Sequence, residues 1–465
     1  MPKKKTALAI EERLQQALVP AEEQPYEVPE NWVWVRLGSL AQDMADGPFG
    51  SNLKTEHYTN NKEVRIIQLS NIGENGWRED NKKYTTFEHA KVIARSKVEA
   101  GDIVIAKMMP AGRAIICPSY EQQYVLSSDA VKFVPNSLVD NNFCCKGINS
   151  HFFQTLVQEN TQGITRARTS IKKLKGYPFP LPPLSEQQRI VERIEELFAK
   201  LDEAKERLQE VADSFAVRKA AILHKAFTGE LTKQWRRENG VSDESWEEKT
   251  LQDVCSMKIT DGTHKTPVYC DSEKGVKFLS AKDITAEKIC WDNIKYIVPE
   301  LHEELYKRLA PQVDDVLLAK NGTTGVAAIV ETDDIFDIYV TLAVLRPEKS
   351  IIYPLYLLKV VNSPLCKEQF AQHLTGIGVP NLHLRDIKEV LIPLPTIPEQ
   401  HEIVRLIDDL LARERAAQQA AEQALASIDL MKKSILARAF RGELGTNKAS
   451  EASALELLKQ VLAEN

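Results

Sequence analysis

The sequence lacks the short motifs with which a chain binds and hydrolyses a nucleotide or holds a metal ion. It contains no Gly-Lys dipeptide, hence no G-x-x-x-x-G-K-S/T phosphate loop, and no G-x-G-x-x-G fingerprint. Its nine histidines are scattered, without an H-E-x-x-H motif or a dense His/Cys cluster. The catalytic tetrapeptides of adenine methyltransferases, Asn-Pro-Pro-Tyr and Asn-Pro-Pro-Phe, are also missing. We therefore expect a chain that is not an enzyme by itself and that carries no metal and no cofactor.

Long hydrophobic runs and paired cysteines are absent as well. No run of about 18 apolar residues occurs, so no membrane span is expected. Glu11, Glu12 and Arg13 interrupt the apolar core that a signal peptide would need after its basic start. The seven cysteines include no C-x-x-C pair, which favours reduced, structural thiols. These features predict a cytoplasmic protein.

A surplus of positive charge is missing too, because 60 lysines and arginines stand against 66 acidic residues, for a net charge of −6. This excludes a chain that is basic all over. It does not exclude a DNA-binding protein, because binding depends on where the cationic side chains lie. The 465 residues suffice for two or three domains with substantial cores.

What the sequence does have is a long stretch that occurs twice. Residues 186–231 reappear as residues 399–444, at a constant shift of 213 residues and without a gap. In the first copy, apolar residues are spaced alternately four and three apart, the heptad pattern of a coiled coil. In the second copy the middle of the seam is rich in alanine, and Glu414 interrupts it. The predicted seam consists of Ile190, Ile194, Leu197, Leu201, Leu208 and Phe215 in the first copy and Ile403, Ile407, Leu410 and Ile428 in the second.

Both copies begin and end in the same way, which predicts two long helices that pack on each other. Prolines precede each copy, in the segments PLPPLS and PLPTIP, and forbid extension of the helix backwards. Ser185 is the expected N-cap of the first helix. Gly229 and Gly442 are the expected C-terminal stops. Because the whole unit is repeated, we expect the two helices to lie antiparallel.

Two globular regions of mixed α and β pattern precede the helices and share a fold. Asp46-Gly47 corresponds to Asp261-Gly262, and Lys107 corresponds to Lys320, at shifts between 212 and 215 residues. The sequence thus predicts an α+β protein with a pseudo-twofold internal repeat. The expected segments are an N-terminal helix and linker (1–31), a first module (32–183), a central helix (184–231), a linker (232–245), a second module (246–395), a C-terminal helix (396–444) and a tail with a short helix (445–465).

Two polar segments in each module are candidates for nucleic-acid contact. The first is a hairpin tip, in which a lysine follows an apolar strand and begins a glycine-containing loop. The second lies just before the long helix, where residues 165–175 carry five basic residues in eleven and residues 378–388 are polar and less basic. The candidate side chains are Lys107, Arg113, Arg166, Arg168 and Lys172 in the first module and Lys320, Asn321, Asn381, His383 and Arg385 in the second.

Each of these features has an ordinary structural explanation. A solvated hairpin tip explains a single lysine, and a charge run is most often a solvated helix face. The recurrence of polar and cationic side chains at equivalent places in both modules favours contact with DNA, through phosphates for lysine and through base edges for arginine and asparagine.

Taken together, the two modules and the helices introduced by PLPPLSEQQRIV and PLPTIPEQHEIV and closed by AFTGEL and AFRGEL resemble the specificity subunit of type I DNA restriction-modification systems. The resemblance covers nearly the whole chain. It departs from an even repeat at Glu414 and at His401-Glu402, where the first copy has Gln188-Arg189.

The resemblance implies that the modules are target-recognition domains, each reading one half of a split sequence in double-stranded DNA, with the antiparallel helices as a ruler. Two methyltransferase subunits would dock on this platform, and restriction subunits could then join. S-adenosylmethionine, ATP and Mg²⁺ would be bound by those partners.

Two rival interpretations remain open at this point. A coiled-coil scaffold would explain the helices but not two divergent modules with matched polar tips. An autonomous DNA-binding module or DNA enzyme would explain the tips, but an enzyme would need catalytic motifs that the sequence lacks.

Overall fold

The structure is a computed structural model that describes residues 10–74, 76–161, 168–285, 288–374 and 380–464. The chain forms two compact units. Unit 1 comprises the residues up to 207 and those from 424 onwards, and unit 2 comprises residues 208–423. Each unit therefore contains one module together with the beginning of one long helix and the end of the other.

The first module is built from short strands and helices in which apolar runs are buried. In chain order, the elements of this part are α1 (Ile10–Ala17), β1 (Val33–Arg36), β2 (Ala41–Asp46), β3 (Tyr58–Thr59), β4 (Val64–Ile67), β5 (Ile72–Gly73), β6 (Gly76–Trp77), β7 (Lys83–Thr85), α2 (Phe87–Val92), β8 (Lys97–Val98), β9 (Ile103–Ala106), β10 (Ala114–Ile116), β11 (Tyr124–Leu126), β12 (Ala130–Pro135), α3 (Asn141–Ile148), α4 (His151–Glu159), α5 (Ile171–Gly176) and β13 (Pro178–Leu181).

Two sheets form the body of this module. One has the strand order β10-β9-β12-β2, and the other has the order β3-β7-β4-β11-β8. β1 pairs with β13, which ties the beginning of the module to its end. The module thus closes on itself before the first long helix begins.

The first long helix is interrupted once, whereas the second is continuous. The first consists of α6 (Leu184–Asp213) and α7 (Phe215–Phe227), and the break lies at Ser214. There the Ser214 hydroxyl and the Arg218 guanidinium both donate to the carbonyl of Val211 (2.9 and 3.3 Å). Ser185 lies inside the first turn and donates to Glu451 (3.1 Å), so the predicted N-cap is wrong. Gly229 and Gly442 have φ angles of +79° and +75°, as expected of C-terminal stops.

The second module repeats the first with its own loops. Its elements are α8 (Lys233–Asn239), β14 (Glu247–Thr250), β15 (Thr260–Asp261), β16 (Val276–Leu279), β17 (Ile284–Thr285), β18 (Lys288–Ile289), β19 (Lys295–Ile297), α9 (Pro299–Arg308), β20 (Val316–Ala319), β21 (Ala327–Ile329), β22 (Phe336–Ile338), β23 (Leu342–Leu345), α10 (Pro354–Val361), α11 (Pro364–Gln372), α12 (Leu384–Glu389) and β24 (Leu391–Leu394). The chain then continues through the second long helix α13 (Ile397–Ala439) to α14 (Ala454–Glu464). The sheet order β15-β23-β20-β21 corresponds to β2-β12-β9-β10 of the first module.

The repeat extends to individual side chains. Asn149 exchanges two hydrogen bonds with the backbone of Ala114, donating to its carbonyl (2.7 Å) and accepting from its amide (3.0 Å). Asn362 makes the same pair with Ala327 (2.9 and 3.0 Å). Both asparagines pin a helix to the second strand of the hairpin, so the predicted shared fold is confirmed.

The two helix segments of unit 1 run antiparallel. In unit 1, Lys432 pairs with Asp202 (2.6 Å) and Asp429 with Lys205 (3.8 Å), so the numbers rise along one helix as they fall along the other. In unit 2, Glu414 accepts from Arg218 of α7 (2.6 Å). The glutamate that interrupts the heptad pattern is therefore the acceptor for an arginine on the facing segment.

The predicted seam is buried mainly where each helix begins. Ile190 and Ile194 are fully buried in the core of the first module, and Ile403 and Ile407 are fully buried in that of the second. Ile428 is also buried, whereas Leu197, Leu201, Leu208, Phe215 and Leu410 are only half-buried. The large apolar residues thus attach the helices to the modules, and the middle of the seam is partly open to water.

A fully buried glutamine in each copy fastens helix to module. Gln187 accepts a hydrogen bond from the amide of Asp140 (2.9 Å) and donates to the carbonyl of Pro182 (2.9 Å). Gln400 accepts from the amide of Tyr353 (2.7 Å) and donates to Pro395 (2.8 Å). Because a buried amide must be hydrogen-bonded, these contacts fix the direction in which each helix leaves its module.

The first and last described segments of the chain meet in unit 1. The amide of Ala454 donates to the carbonyl of Asn31 (2.9 Å), and the side chain of Asn447 donates to that of Asn31 (2.8 Å). Helix α1 packs on α14. In the described part of the chain, no helix is long and apolar enough to cross a membrane.

Candidate nucleic-acid interface

In both modules the backbone brings the hairpin tip and the polar segment together. In the first module Met108 forms an antiparallel bridge with Arg168, and the amide of Thr169 donates to the carbonyl of Lys107 (2.9 Å). In the second module the bridge joins Asn321 to Asn381. The two stretches that the sequence singled out separately therefore form one surface in each module, which we call the tip surface: residues 107–113 with 168–175, and residues 320–325 with 380–388.

Each tip lysine is paired with an aspartate at the base of the tip. Lys107 Nζ lies 2.8 Å from Asp46 Oδ1, and Lys320 Nζ lies 3.2 Å from Asp261 Oδ2. The lysine side chains are only 13% and 8% exposed, so their charge is largely used within the protein. Direct contact of either lysine with DNA stays a prediction.

The glycine after each aspartate explains why the Asp-Gly pair recurs. A Cβ atom at Gly47 would lie 1.7 Å from the carbonyl oxygen of Ser127, and one at Gly262 would lie 1.9 Å from that of Ile338. Only glycine permits this close approach of two backbones. The recurring Asp-Gly is thus the signal from which the aspartate partners of the lysines could have been found.

The other candidates of the first module differ in how they are held. Arg113 lies 3.8 Å from Glu74, and Arg168 forms an ion pair with Asp129. Lys172 is exposed on α5. Arg166 lies outside the described residues. Arg168 and Lys172 are thus on the accessible part of the tip surface.

In the second module the candidates surround the start of α12. His383 is the exposed residue just before the helix, and Arg385 is 79% exposed and donates to Asp386 (3.1 Å). The side-chain oxygen of Asn321 is buried and has no hydrogen-bond partner among the residues that the structure describes.

Two further lysines add to the charge of this module: Lys388, in the polar segment 378–388, and Lys258, which the sequence did not single out. Burial lowers the pKa of Lys388, and the positive charge of Lys258 lowers it further, while Asp261 opposes the shift. Lys258 and Lys388 thus lie near the Lys320–Asp261 pair. Residues distant in sequence are gathered here by the fold, and neither spacing nor composition indicated it.

The described residues contain no group of three His, Cys, Asp or Glu side chains that could hold a metal ion. The arrangement offers instead arginines, lysines, asparagines and a histidine on a polar surface. Such side chains donate hydrogen bonds to phosphates and base edges. The side chains of the tip surface are therefore suited to binding phosphates and base edges.

Comparison with known proteins gives a consistent result. The family described as "Type I restriction modification DNA specificity domain" matches residues 29–213 and 243–424. The EcoBI specificity subunit of Escherichia coli is 29% identical over 330 residues, covering 67% of this chain and 69% of that protein. The EcoKI specificity subunit of Escherichia coli (strain K12) is 25% identical over 471 residues, covering 94% and 96%.

A solved structure supports the same fold. The HsdS subunit from Thermoanaerobacter tengcongensis has a TM-score of 0.61 and 20% sequence identity, covering 90% of this chain and 99% of that one. Two matched segments, one in each module, agree with the internal repeat seen in the sheets.

Proposed function

Because the chain belongs to the family of type I restriction-modification DNA specificity subunits, we propose that its first module reads one half of a bipartite duplex target and its second module the other. The chain supplies DNA sequence specificity to a type I restriction-modification complex and is not itself catalytic. One observation supports the assignment of one half-site to each module. The tip surface is built by the same backbone bridges in both modules but carries different side chains, Met108 in one and Asn321 in the other.

The difference between the tips is chemical. Methionine offers apolar contact, whereas asparagine can accept and donate hydrogen bonds to a base edge. Two modules with one scaffold and different tips are suited to two different half-sites. The cationic residues around them, Arg168 and Arg385 among them, would hold the phosphates in register.

The partner subunits are DNA-modifying and DNA-cleaving enzymes in this proposal. Two methyltransferase subunits dock on the helices, and restriction subunits join them. S-adenosylmethionine, ATP and Mg²⁺ are bound by those subunits, and the complex works in the cytoplasm. The 213-residue shift makes Val217 and Leu430 equivalent, and their side chains are 71% and 67% exposed on helices with charged surfaces. An exposed apolar residue at the same place in both units supports two copies of one partner.

Methylome sequencing of cells with and without this gene tests the proposal. A bipartite adenine motif is expected to lose its methylation when the gene is removed. Exchanging residues 32–180 for the equivalent segment of a relative should then change one half of the motif and leave the other half intact. Unchanged methylation without the gene, or a change in both halves on exchange, would contradict the proposal.

A further inference from the structure

One aromatic side chain of the first module is almost fully exposed beside the hairpin tip. Phe49 is 83% exposed, although phenylalanine is among the residues most often buried in folded proteins. It follows Asp46 by three residues, and Asp46 is the partner of the tip lysine Lys107 (2.8 Å). Because three residues span at most about 11 Å, Phe49 lies at the edge of the tip surface.

The loop that carries Phe49 is anchored on both sides. Pro48 before it and Leu53 after it are buried. The amide of Asn52 donates to the carbonyl of Phe49 (2.7 Å), which closes a turn. His89 Nε2 lies 2.8 Å from the carbonyl oxygen of Asn52 and ties the same turn to α2. Phe49 is therefore exposed by an anchored loop.

The second module has a planar ring at the same place. His264 is the second residue after Asp261-Gly262, just as Phe49 is the second residue after Asp46-Gly47. The residue between, Thr263, is buried, and the side chain of His264 is 74% exposed. Its Nε2 atom lies 3.2 Å from Asp261 Oδ1. A single exposed ring would need no explanation, whereas a ring that recurs beside both tips indicates a shared role.

The tip surface beside Phe49 combines cations with a second exposed apolar side chain. Arg168 and Lys172 are exposed on it, and Met109 of the tip is 60% exposed. Proteins that enter the base stack of DNA use this combination, because cations hold the phosphates while an apolar side chain inserts between bases. An aromatic ring can in addition stack on the face of any base. Phe49 therefore has the chemistry and the position of an inserting side chain.

Resting on the proposed function, we infer that Phe49 and His264 are the side chains that enter the base stack, one in each half-site. An adenine inside a duplex is out of reach of a methyltransferase, so it must leave the stack, and this costs unstacking energy. Phe49 fills the gap in the first half-site by stacking on the neighbouring bases, and His264 does so in the second. Each ring thereby offsets part of the cost of opening the duplex where its own module is bound.

The experiment uses the methyltransferase assembled from this chain and its partner subunits. Each adenine of the target duplex is replaced in turn by 2-aminopurine, whose fluorescence rises when it leaves the stack. For the parent, one position in each half-site should brighten on binding. In the Phe49→Ala variant the signal of the first half-site should be lost and binding should weaken about tenfold, while the signal of the second half-site stays.

The second module supplies the reciprocal test. His264→Ala should abolish the signal of the second half-site and leave that of the first unchanged. Its effect on affinity should be smaller than that of Phe49→Ala, because the imidazole nitrogens give up hydrogen bonds to water when the ring stacks. Phe49→Trp should keep both signals, because tryptophan also offers a ring that stacks on a base.

The matched control is Tyr120→Ala. Tyr120 is 70% exposed and follows β10 at the end of the hairpin away from the tip, so this variant should behave like the parent. Phe49→Ser replaces the alanine variant if the latter does not assemble.

Two results would overturn the inference while the parent still prefers its target to a scrambled duplex. In one, Phe49→Ala binds and brightens the probe like the parent. In the other, Phe49→Ala binds more weakly but leaves the fluorescence of the bound duplex unchanged, which would make Phe49 a contact outside the stack. If the parent prefers no sequence, the proposed function itself fails.

Discussion

The carboxylate of Glu186 accepts a hydrogen bond from the indole Nε1 of Trp32 at 2.8 Å, although 154 residues separate the two. Asn447 donates to the same oxygen (2.9 Å). In unit 2 the equivalent carboxylate, Glu399, instead accepts from Arg236 (2.7 Å). Both glutamates are fully buried. The buried carboxylate of the repeat thus accepts from neutral donors in unit 1, and from an arginine together with the hydroxyl of Thr232 (2.6 Å) in unit 2.

This difference predicts that equivalent substitutions in the two units lower the free energy of unfolding by different amounts. Glu186→Ala should lower the free energy of unfolding by about 1–3 kcal/mol, because the donors of Trp32 and Asn447 lose their acceptor. Glu399→Ala should cost about 3 kcal/mol or more, because the Arg236 guanidinium, which is 7% exposed, loses its buried counter-charge and keeps only the exposed Asp243 (2.9 Å). Urea denaturation monitored by tryptophan fluorescence measures both.

The matched control is Glu192→Ala, which removes an exposed glutamate from α6 and should change stability by less than about 0.5 kcal/mol. Equal losses of stability for Glu186→Ala and Glu399→Ala would show that removing the negative charge that pairs with Arg236 adds no cost of its own.

The two tip lysines, Lys107 and Lys320, should contribute to folding stability to different extents. Lys320→Met leaves Asp261, which is 7% exposed, with His264 as its remaining side-chain partner (3.2 Å), and should cost about 3 kcal/mol or more. Lys107→Met should cost only about 1 kcal/mol, because Asp46 is 44% exposed and can be solvated. Thermal unfolding of the two variants tests this order.

The double variant Lys320→Met/Asp261→Asn removes both charges and separates folding from DNA binding. It should recover most of the stability. Its affinity for the target duplex then reports whether Lys320 also contacts DNA: binding like that of the parent would remove this lysine from the interface.

The Arg218–Glu414 pair should contribute more than an ordinary surface ion pair. Its side chains are 34% and 24% exposed, and the donor also bonds to the carbonyl of Val211 at the helix break. A double-mutant cycle with Arg218→Ala and Glu414→Ala should give a coupling of about 1 kcal/mol that falls with added salt. The exposed pair Arg413–Asp409, with 74% and 43% exposure, should give about 0.3–0.5 kcal/mol. Equal couplings would mean that partial burial adds nothing.

DNA affinity should depend on pH through Lys388. Burial and the charge of Lys258 lower its pKa, so in the folded protein it releases its proton at a lower pH than an ordinary lysine. As the pH rises above neutral, its contribution to phosphate binding should be lost first. The Lys388→Arg variant should keep its affinity over that range, because arginine stays charged, whereas Lys388→Ala should bind weakly throughout. Salt-matched titrations from neutral to alkaline pH measure this. Parallel profiles for parent and arginine variant would exclude Lys388 from the interface.

The repeat is the reason why much of the fold could be predicted from the sequence. The buried strand Ile103–Ala106 is a continuous apolar run and has a counterpart 213 residues later in Val316–Ala319, so the same weak pattern occurs twice. Gly229 and Gly442 marked the ends of the helices for the same reason. The heptad spacing predicted helices correctly, but it did not show that Ile190 and Ile194 pack into a module.

The site was predicted less well, because side-chain partners depend on tertiary contacts. Lys107 meets Asp46, 61 positions earlier, and nothing in the local sequence of either residue specifies the pairing. Glu186 lies at the start of a helix, where a carboxylate is usually exposed, yet it is buried beneath Trp32 and Asn447. Polar residues that are buried by distant segments have no periodic signature in the sequence. They were visible only as identities that recur in both copies.

Unit 1 includes residues from the beginning and the end of the chain, and this has a consequence for synthesis on the ribosome. Phe440 packs against Phe143 and Phe179, with ring centres 5.0 and 6.3 Å apart, and Leu458 and Val461 are buried in the same core. Unit 2, in contrast, is a continuous segment that is complete at residue 423. Domains usually become able to fold in the order in which they are translated. Here the module that is made first must wait with an incomplete core until the module made second has all of its residues.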